Sequence, residues 1–145
     1  MKVKIKKLTL GAVVPTYATL GAGCFDISYS GVSKRHIFNT PVALETGLAF
    51  EIPEGFVMLI FSRSGHGFSL GVRLANCTGI IDSDYRGELL VKLHPDVHNM
   101  NPIVIEQGDK IAQGMIVPRP KVSFDEALEL SITKRGEGGF GHTGK

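Results

Sequence analysis

The sequence predicts an all-β subunit, a distorted jelly roll or β-barrel with at most one short helix. Glycine is frequent, at 18 of 145 residues, and together with seven prolines it interrupts the chain at short intervals. Short apolar runs lie between these breaks, and strands do not alternate with long helices, which argues against a parallel α/β sheet. We therefore expect many short antiparallel strands joined by tight turns.

Alternation and turn signals predict the individual strands. Lysines alternate with Val3, Ile5 and Leu8, as in a half-buried strand. Further strands are expected at 25–29, 42–44, 47–52, 56–61, 72–76, 79–81, 89–93, 103–105 and 111–117. Residues 62–68 are predicted as a loop that can contain a helical turn, and 124–130 is the only segment with a helical pattern. We expect residues 1–134 to form one domain and residues 135–145 to form its flexible, glycine-rich C-terminal lid.

Composition excludes several classes of protein. The net charge of +2 gives no reason to expect nucleic acid or a membrane surface as a partner. The longest apolar run, 56–61, is too short to span a bilayer, and residues 1–10 lack the apolar core of a signal peptide. Cys24 and Cys77 form no CxxC pair and are predicted to be two buried thiols. We therefore expect a soluble, cytoplasmic protein.

The most informative segment is 79–88, in which an acidic turn (residues 82–85, Asp-Ser-Asp-Tyr) lies between apolar arms. We interpret it as a hairpin whose two arms are strands. A structural turn needs one Asp or Asn and a Gly, whereas this one carries two carboxylates and a phenol. The surplus indicates a carboxylate base beside a flat ring.

Four other segments combine glycine with polar residues. Asp26 lies between Phe25 and Ile27 in a predicted strand, and Arg63 with Ser64 and Gly65 forms a possible anion cradle. Gln113 follows a Gly-Asp-Lys turn. In the tail, Arg135 and Thr143 could close on a phosphate and Phe140 on a base, with glycines as hinges.

Other sites are less well supported. His94 and His98 have a spacing compatible with zinc but lie in a Pro-Asp turn with no matching cysteine. No glycine-rich nucleotide fingerprint of the P-loop or dinucleotide type is present.

Taken in order, the five segments resemble the five motifs of the trimeric dUTPases, the deoxyuridine triphosphate nucleotidohydrolase family. The resemblance spans residues 22 to 144 and implies a jelly-roll subunit in a homotrimer whose active sites are shared between subunits. The implied reaction converts dUTP and water to dUMP and pyrophosphate, with Mg²⁺ on the triphosphate.

The resemblance also implies a role for each matching residue. Asp82 would activate the attacking water, and Tyr85 would pack under the deoxyribose. Asn76, Gly79 and Ile80 would read uracil, with Phe140 stacking on it. The phosphate contacts would come from Arg63, Ser64, Gly65, Gln113, Arg135 and Thr143. Asp26 would lie near the water shell of the metal, which the substrate phosphates would mainly hold.

This chain departs from the family pattern at Ser62, where Pro is frequent, and at His66, Phe68, Gly114 and Glu137. Alternatives of other classes are a dCTP deaminase of related fold, a non-catalytic nucleotide-sensing or protein-binding module, and a nucleic-acid-binding barrel. The acidic turn and the tail favour the hydrolase over all three.

Overall fold

The computed structural model of the chain describes residues 1–96 and 102–142 and confirms the predicted all-β class. One five-residue π-helix, His66–Leu70, lies where a helical turn was expected. The strands are β1 (Lys4–Lys7), β2 (Phe25–Ser28), β3 (Arg35–Ile37), β4 (Val42–Glu45), β5 (Leu48–Glu51), β6 (Phe56–Phe61), β7 (Val72–Leu74), β8 (Gly79–Ile81), β9 (Leu90–Pro95), β10 (Ile103–Ile105) and β11 (Lys110–Pro118).

These strands form a four-stranded sheet, a three-stranded sheet and two strand pairs. The larger sheet has the order β2-β11-β6-β8, and the smaller one has the order β4-β9-β7. The pairs are β1 with β5 and β3 with β10. All of these pairings between described strands are antiparallel. The core lies between them and includes the fully buried Ile27, Leu44 and Met58.

Strand β11 determines how the larger sheet is aligned, because it pairs on both sides. Gln113 lies opposite Asp26 of β2 and opposite Phe61 of β6. The next residue, Gly114, allows a close approach, since a Cβ there would lie 2.7 Å from the ring of Phe25. The departure from the family pattern at this position therefore has a packing reason.

The acidic turn is not a hairpin, contrary to our interpretation of the sequence. Its first arm, β8, pairs with β6, whereas the arm that follows it, β9, pairs with β4 and β7. The turn therefore crosses from one sheet to the other. A hairpin register is set by local turn geometry, but this crossing depends on distant partners that the local pattern does not reveal.

Three further expectations differ from the structure. Residues 124–130 are not helical, because a short segment whose apolar side chains Phe124 and Leu128 are exposed lacks the tertiary packing that stabilises helices. Strand β5 does not alternate, since its first three residues are all buried. The cysteines are not both buried: Cys24 is partly exposed and Cys77 is exposed. Among the described residues, no helix is long and apolar enough to cross a membrane.

Thr46 connects the β4–β5 junction to the segment that follows the acidic turn. Its side chain is fully buried, and its hydroxyl donates to the carbonyl of Leu89 at 2.7 Å. The same oxygen accepts from the amide of Leu48 at 3.2 Å. One hydroxyl thus satisfies two buried backbone groups.

We expect Thr46→Val to lower the free energy of unfolding by about 1–3 kcal/mol, because the isosteric side chain leaves these backbone groups unpaired. Urea unfolding followed by circular dichroism at fixed protein concentration would measure the change. The control is Thr40→Val, since Thr40 is exposed and its hydroxyl donates a long hydrogen bond of 3.4 Å to the exposed carbonyl of Phe38. Equal effects of the two substitutions would contradict the prediction.

Candidate active site

Hydrogen bonds to backbone carbonyls hold the acidic turn in shape. The amide of Tyr85 donates to the carbonyl of Asp82 at 3.2 Å, and the guanidinium of Arg86 donates to the carbonyl of Ser83 at 2.7 Å. The Asp82 side chain is exposed and accepts no hydrogen bond from the part of the chain that the structure describes. The turn therefore presents a carboxylate that is held in place by its backbone and is available to a ligand.

The ring of Tyr85 is held beside this carboxylate. Its hydroxyl donates to the carbonyl of Glu88 at 3.0 Å, while the Glu88 carboxylate accepts from the amide of Gly47 at 2.7 Å. Gly87 makes the ring position possible, because a Cβ there would lie 2.4 Å from the Tyr85 hydroxyl. The phenol is 45% exposed, so one part of the residue remains open to a ligand.

Two neighbouring cavities lie along β8. One, of about 360 Å³, is lined in part by Asn76, Gly79 and Ile80. The other, of about 260 Å³, is lined in part by Ile80, Asp82 and Tyr85. Ile80 contributes to both and is 67% exposed. The residues predicted to read uracil and the predicted general base, Asp82, therefore line adjacent parts of one surface.

The carboxylate of Asp26 is held between two cations. The ammonium of Lys110 lies 2.6 Å from one of its oxygens, and the guanidinium of Arg63 lies 3.3 Å from the other. Arg63 also donates to the carbonyl of Lys110 at 3.1 Å. The Asp26 side chain is only 19% exposed, so this ion pair is screened less than a surface pair would be.

Lys110 reaches Asp26 because of an irregularity in the pairing of β11 with β2. Ala112 lies opposite Ile27, but Lys110, rather than Ile111, lies opposite Ser28. This extra residue is a β-bulge, and bulges can redirect side chains near functional sites. With regular pairing, Lys110 would project from the other face of the sheet.

Gln113 and Ser62 join the same group of residues. The side-chain amide of Gln113 donates to the carbonyl of Ser62 at 2.8 Å. The hydroxyl of Ser62 accepts from the amide of Leu74 at 2.9 Å. Ser64 and Gly65 follow and are exposed, so residues 62–65 (the 62–65 loop) present a guanidinium, a hydroxyl and amide groups together.

The 62–65 loop leads directly into the π-helix, whose first residue is buried. His66 is 8% exposed, and its Nδ1 has no hydrogen-bond partner among the described residues. Burial lowers the pKa of His66, and the nearby charge of Arg63 lowers it further, while Asp109 opposes both. The imidazole is therefore held neutral over a wider pH range than an exposed histidine.

The tail is folded on itself. Arg135 donates to the carbonyl of Gly138 at 2.8 Å, and Phe140 is fully exposed. Thr143 lies outside the described residues. Neither Arg135 nor Phe140 is brought to the acidic turn or to the Asp26 cluster by a contact within the described chain.

The donor groups fit a metal that is held mainly by its substrate. Within residues 1–96 and 102–142, no group of three or more His, Cys, Asp or Glu side chains could form a protein cage for a metal. Mg²⁺ often binds through one or two carboxylates, several waters and substrate phosphates, and Asp26 could contact such a hydrated ion. Of the possible zinc pair, His94 contacts the carbonyl of Pro95, and His98 lies outside the described residues.

The structure brings together Asp26, Arg63 and Gln113 in one group and Asn76, Gly79, Ile80, Asp82 and Tyr85 in another. Sequence reasoning missed Lys110 as a partner of Asp26 and treated Ser62 only as a departure from a pattern. The Gly-Asp-Lys turn was visible, but the bulge that redirects Lys110 has no local sequence signal.

Comparison with known proteins identifies the family. The sequence profile of the dUTPase family matches residues 11–144. The deoxyuridine 5'-triphosphate nucleotidohydrolase of Hydrogenobaculum sp. is 44% identical, with 99% of each chain covered. The chain belongs to the dUTPase family.

Solved structures agree with the fold. A mutant of the Staphylococcus bacteriophage 80alpha dUTPase, determined with dUpNHpp, has a TM-score of 0.84 at 25% identity, with 99% of each chain covered. A mutant of the dUTPase from phage phi11 of S. aureus, in which a structural Mg(II) ion is coordinated, has a TM-score of 0.78 at 23% identity. That alignment covers 89% of this chain and 98% of the phage chain.

We expect His66 to make folding stability fall with acidification. Its pKa is lower in the folded state than the ordinary value near 6.5, so the neutral form is favoured by folding. This contribution is fully present above the unfolded pKa and is lost as pH falls through the lowered folded pKa. His66→Leu should therefore reduce the difference between the urea midpoints measured at pH 7.5 and at pH 5.5.

The matched control is His36→Gln, because His36 is exposed. It should leave the difference between the two urea midpoints close to that of the unaltered chain. An unchanged pH dependence in His66→Leu would contradict the prediction.

Proposed function

We propose that Asp82 activates the attacking water in the hydrolysis of dUTP to dUMP and pyrophosphate, which is the reaction of this member of the dUTPase family. The observation that carries this proposal is the acidic turn, in which a backbone-held, exposed carboxylate lies beside the ring of Tyr85. Membership of the dUTPase family supports the same reaction. A base of this kind typically contributes about 10²–10⁴-fold to the rate.

The hydrolysis of dUTP requires no protein nucleophile, because water attacks the phosphorus directly. Asp82 accepts a proton as the water oxygen forms a bond to the α-phosphorus, and the bond from that phosphorus to the bridging oxygen breaks. Pyrophosphate leaves with the electron pair of that bond. Such transfers depend on positioning and charge stabilisation, which the cationic and N–H donors of this chain can supply.

Uracil is expected to be read along β8. We assign this role to Asn76, Gly79 and Ile80 because they line one cavity next to the acidic turn. A fixed donor and acceptor pattern disfavours cytosine, since the wrong base would leave buried polar groups unpaired. The deoxyribose would pack on Tyr85, where a 2′-hydroxyl would clash with the ring.

The triphosphate is expected to bind Arg63, Ser64, Gly65 and Gln113. Arg63 is paired with Asp26 and Gln113 with the carbonyl of Ser62, so both side chains have defined positions in the candidate site. Mg²⁺, when bound, would neutralise phosphate charge and polarise the phosphoryl group. Asp26 would contact the hydrated ion from its position beside Lys110.

We further propose a homotrimer with shared active sites, in which residues 135–145 act as a lid. Apolar side chains after β11 support an assembly, since Phe124, Leu128 and Ile132 are 96%, 105% and 100% exposed in one chain. Several large apolar side chains exposed close together in the sequence favour an interaction surface. Arg135 and Thr143 would contact the terminal phosphate, and Phe140 would stack on uracil, in a cytoplasmic enzyme.

We expect Asp82→Asn to lower kcat for dUTP by about 10²–10⁴-fold, because an amide cannot accept the proton. Pyrophosphate release with Mg²⁺ present would measure this, with dUMP as the second product. Asp125→Asn is the charge-matched control, since Asp125 is exposed and lies outside the candidate site. Full activity of Asp82→Asn would exclude Asp82 as the base, and ammonia released from dCTP would indicate a deaminase instead.

Tyr85→Ala should reduce the preference for dUTP over UTP by about tenfold or more, because the ring that excludes the 2′-hydroxyl is removed. The ratio of kcat/KM for the two nucleotides measures this preference. Tyr85→Phe keeps the ring and loses only the hydrogen bond to Glu88, so its ratio should remain within about threefold of the original. If Tyr85→Ala keeps the original ratio, sugar selection lies elsewhere.

A further inference from the structure

Ser62 lies at the junction between the two groups of site residues. It follows the last residue of β6 and precedes Arg63 in the chain. Its hydroxyl accepts from the amide of Leu74, the last residue of β7, and its carbonyl accepts from the side chain of Gln113. One residue therefore contacts β7 and β11 while it begins the 62–65 loop.

The hydroxyl of Ser62 accepts a backbone hydrogen bond that few other side chains could accept at this position. A proline, which is frequent at this position in the family that the sequence resembles, has no side-chain acceptor for the amide of Leu74. An alanine would also leave that partly buried amide without its partner. Leaving such a group unpaired typically weakens an equilibrium by about tenfold or more. The oxygen of Ser62 thus fixes the start of the loop relative to β7.

We propose that Ser62 is a positioning residue for the phosphate contacts, which it aligns through two connections. Its hydroxyl fixes the beginning of the loop that carries Arg63, and its carbonyl orients the amide of Gln113. This inference rests on the proposed function, because it assumes that Arg63 and Gln113 bind phosphate. It does not make Ser62 a catalytic residue, since Ser62 acts through its neighbours.

A positioning role and a purely structural role predict different results. If Ser62 aligns the loop, removing its hydroxyl weakens ligands that contain phosphate and leaves binding of the nucleoside deoxyuridine unchanged. If it only stabilises the fold, removing the hydroxyl lowers the thermal stability of the protein. Binding is then weakened for both kinds of ligand or for neither.

The test compares Ser62→Ala with Ser62→Thr, which keeps the hydroxyl, and with Ser69→Ala, a nearby exposed serine on the π-helix. Binding of inorganic pyrophosphate and of deoxyuridine is measured by calorimetry. Hydrogen exchange at the Leu74 amide is measured by NMR. We expect Ser62→Ala to weaken pyrophosphate about tenfold, to leave deoxyuridine within about twofold and to accelerate exchange at Leu74. The other two variants should resemble the original chain.

Several outcomes would overturn the inference. These are unchanged pyrophosphate binding in Ser62→Ala, an equal loss for both ligands, or a Ser62→Thr variant that behaves like Ser62→Ala. If Ser62→Ala does not fold, Ser62→Val compared with Ser62→Thr gives the same contrast at nearly equal volume. Pyrophosphate binding does not require turnover, so failure of the original chain to hydrolyse dUTP would count against the proposed function alone. Failure of the original chain to bind pyrophosphate would overturn the inference itself.

Discussion

The pairing of β11 with two neighbours is the constraint on which the proposed phosphate-binding part of the candidate site depends. Gln113 lies opposite a residue of β2 on one side and a residue of β6 on the other. A slip of one residue in either ladder would turn its side chain to the opposite face of the sheet. The close approach of Gly114 to Phe25 helps to select one register, and the bulge at Ile111 brings Lys110 to Asp26. A carboxylate, two cations and an amide thus come together through backbone pairing.

The acidic turn is held by side-chain hydrogen bonds rather than by strand pairing. It crosses between sheets, so it cannot rely on hydrogen bonds between its own two arms. Buried and partly buried side chains compensate: Thr46 bonds the carbonyl of Leu89, and Glu88 bonds the amide of Gly47. The turn is tied to the β4–β5 junction on its far side, which leaves the Asp82 carboxylate exposed. The proposed role of Asp82 as a general base requires such rigid support behind an exposed carboxylate.

Sequence reasoning succeeded where the signal was local. Apolar runs bounded by glycine and proline predicted most strands, because alternation and turn chemistry act within a few residues. It failed for the acidic turn, whose arms pair with distant strands, and for 124–130, whose apolar residues are exposed in the part of the chain that the structure describes. The resemblance supplied candidate site residues, but Lys110 was missed because only the pairing of β11 with β2 reveals the bulge. Ser62 was noticed without a role, since its partner Leu74 is twelve residues away in the sequence.

The contact between Gly87 and the Tyr85 hydroxyl has a consequence for how this site can evolve. Any side chain at position 87 would occupy space that the phenol already fills. The ring would have to move before a larger residue could be accepted there, although Gly87 itself is assigned no contact with the nucleotide. The residues that can be accepted at positions 85 and 87 therefore depend on each other. Under the role that we propose for Tyr85, a larger residue at position 87 would alter sugar preference by displacing the ring, so such a change could begin at either residue.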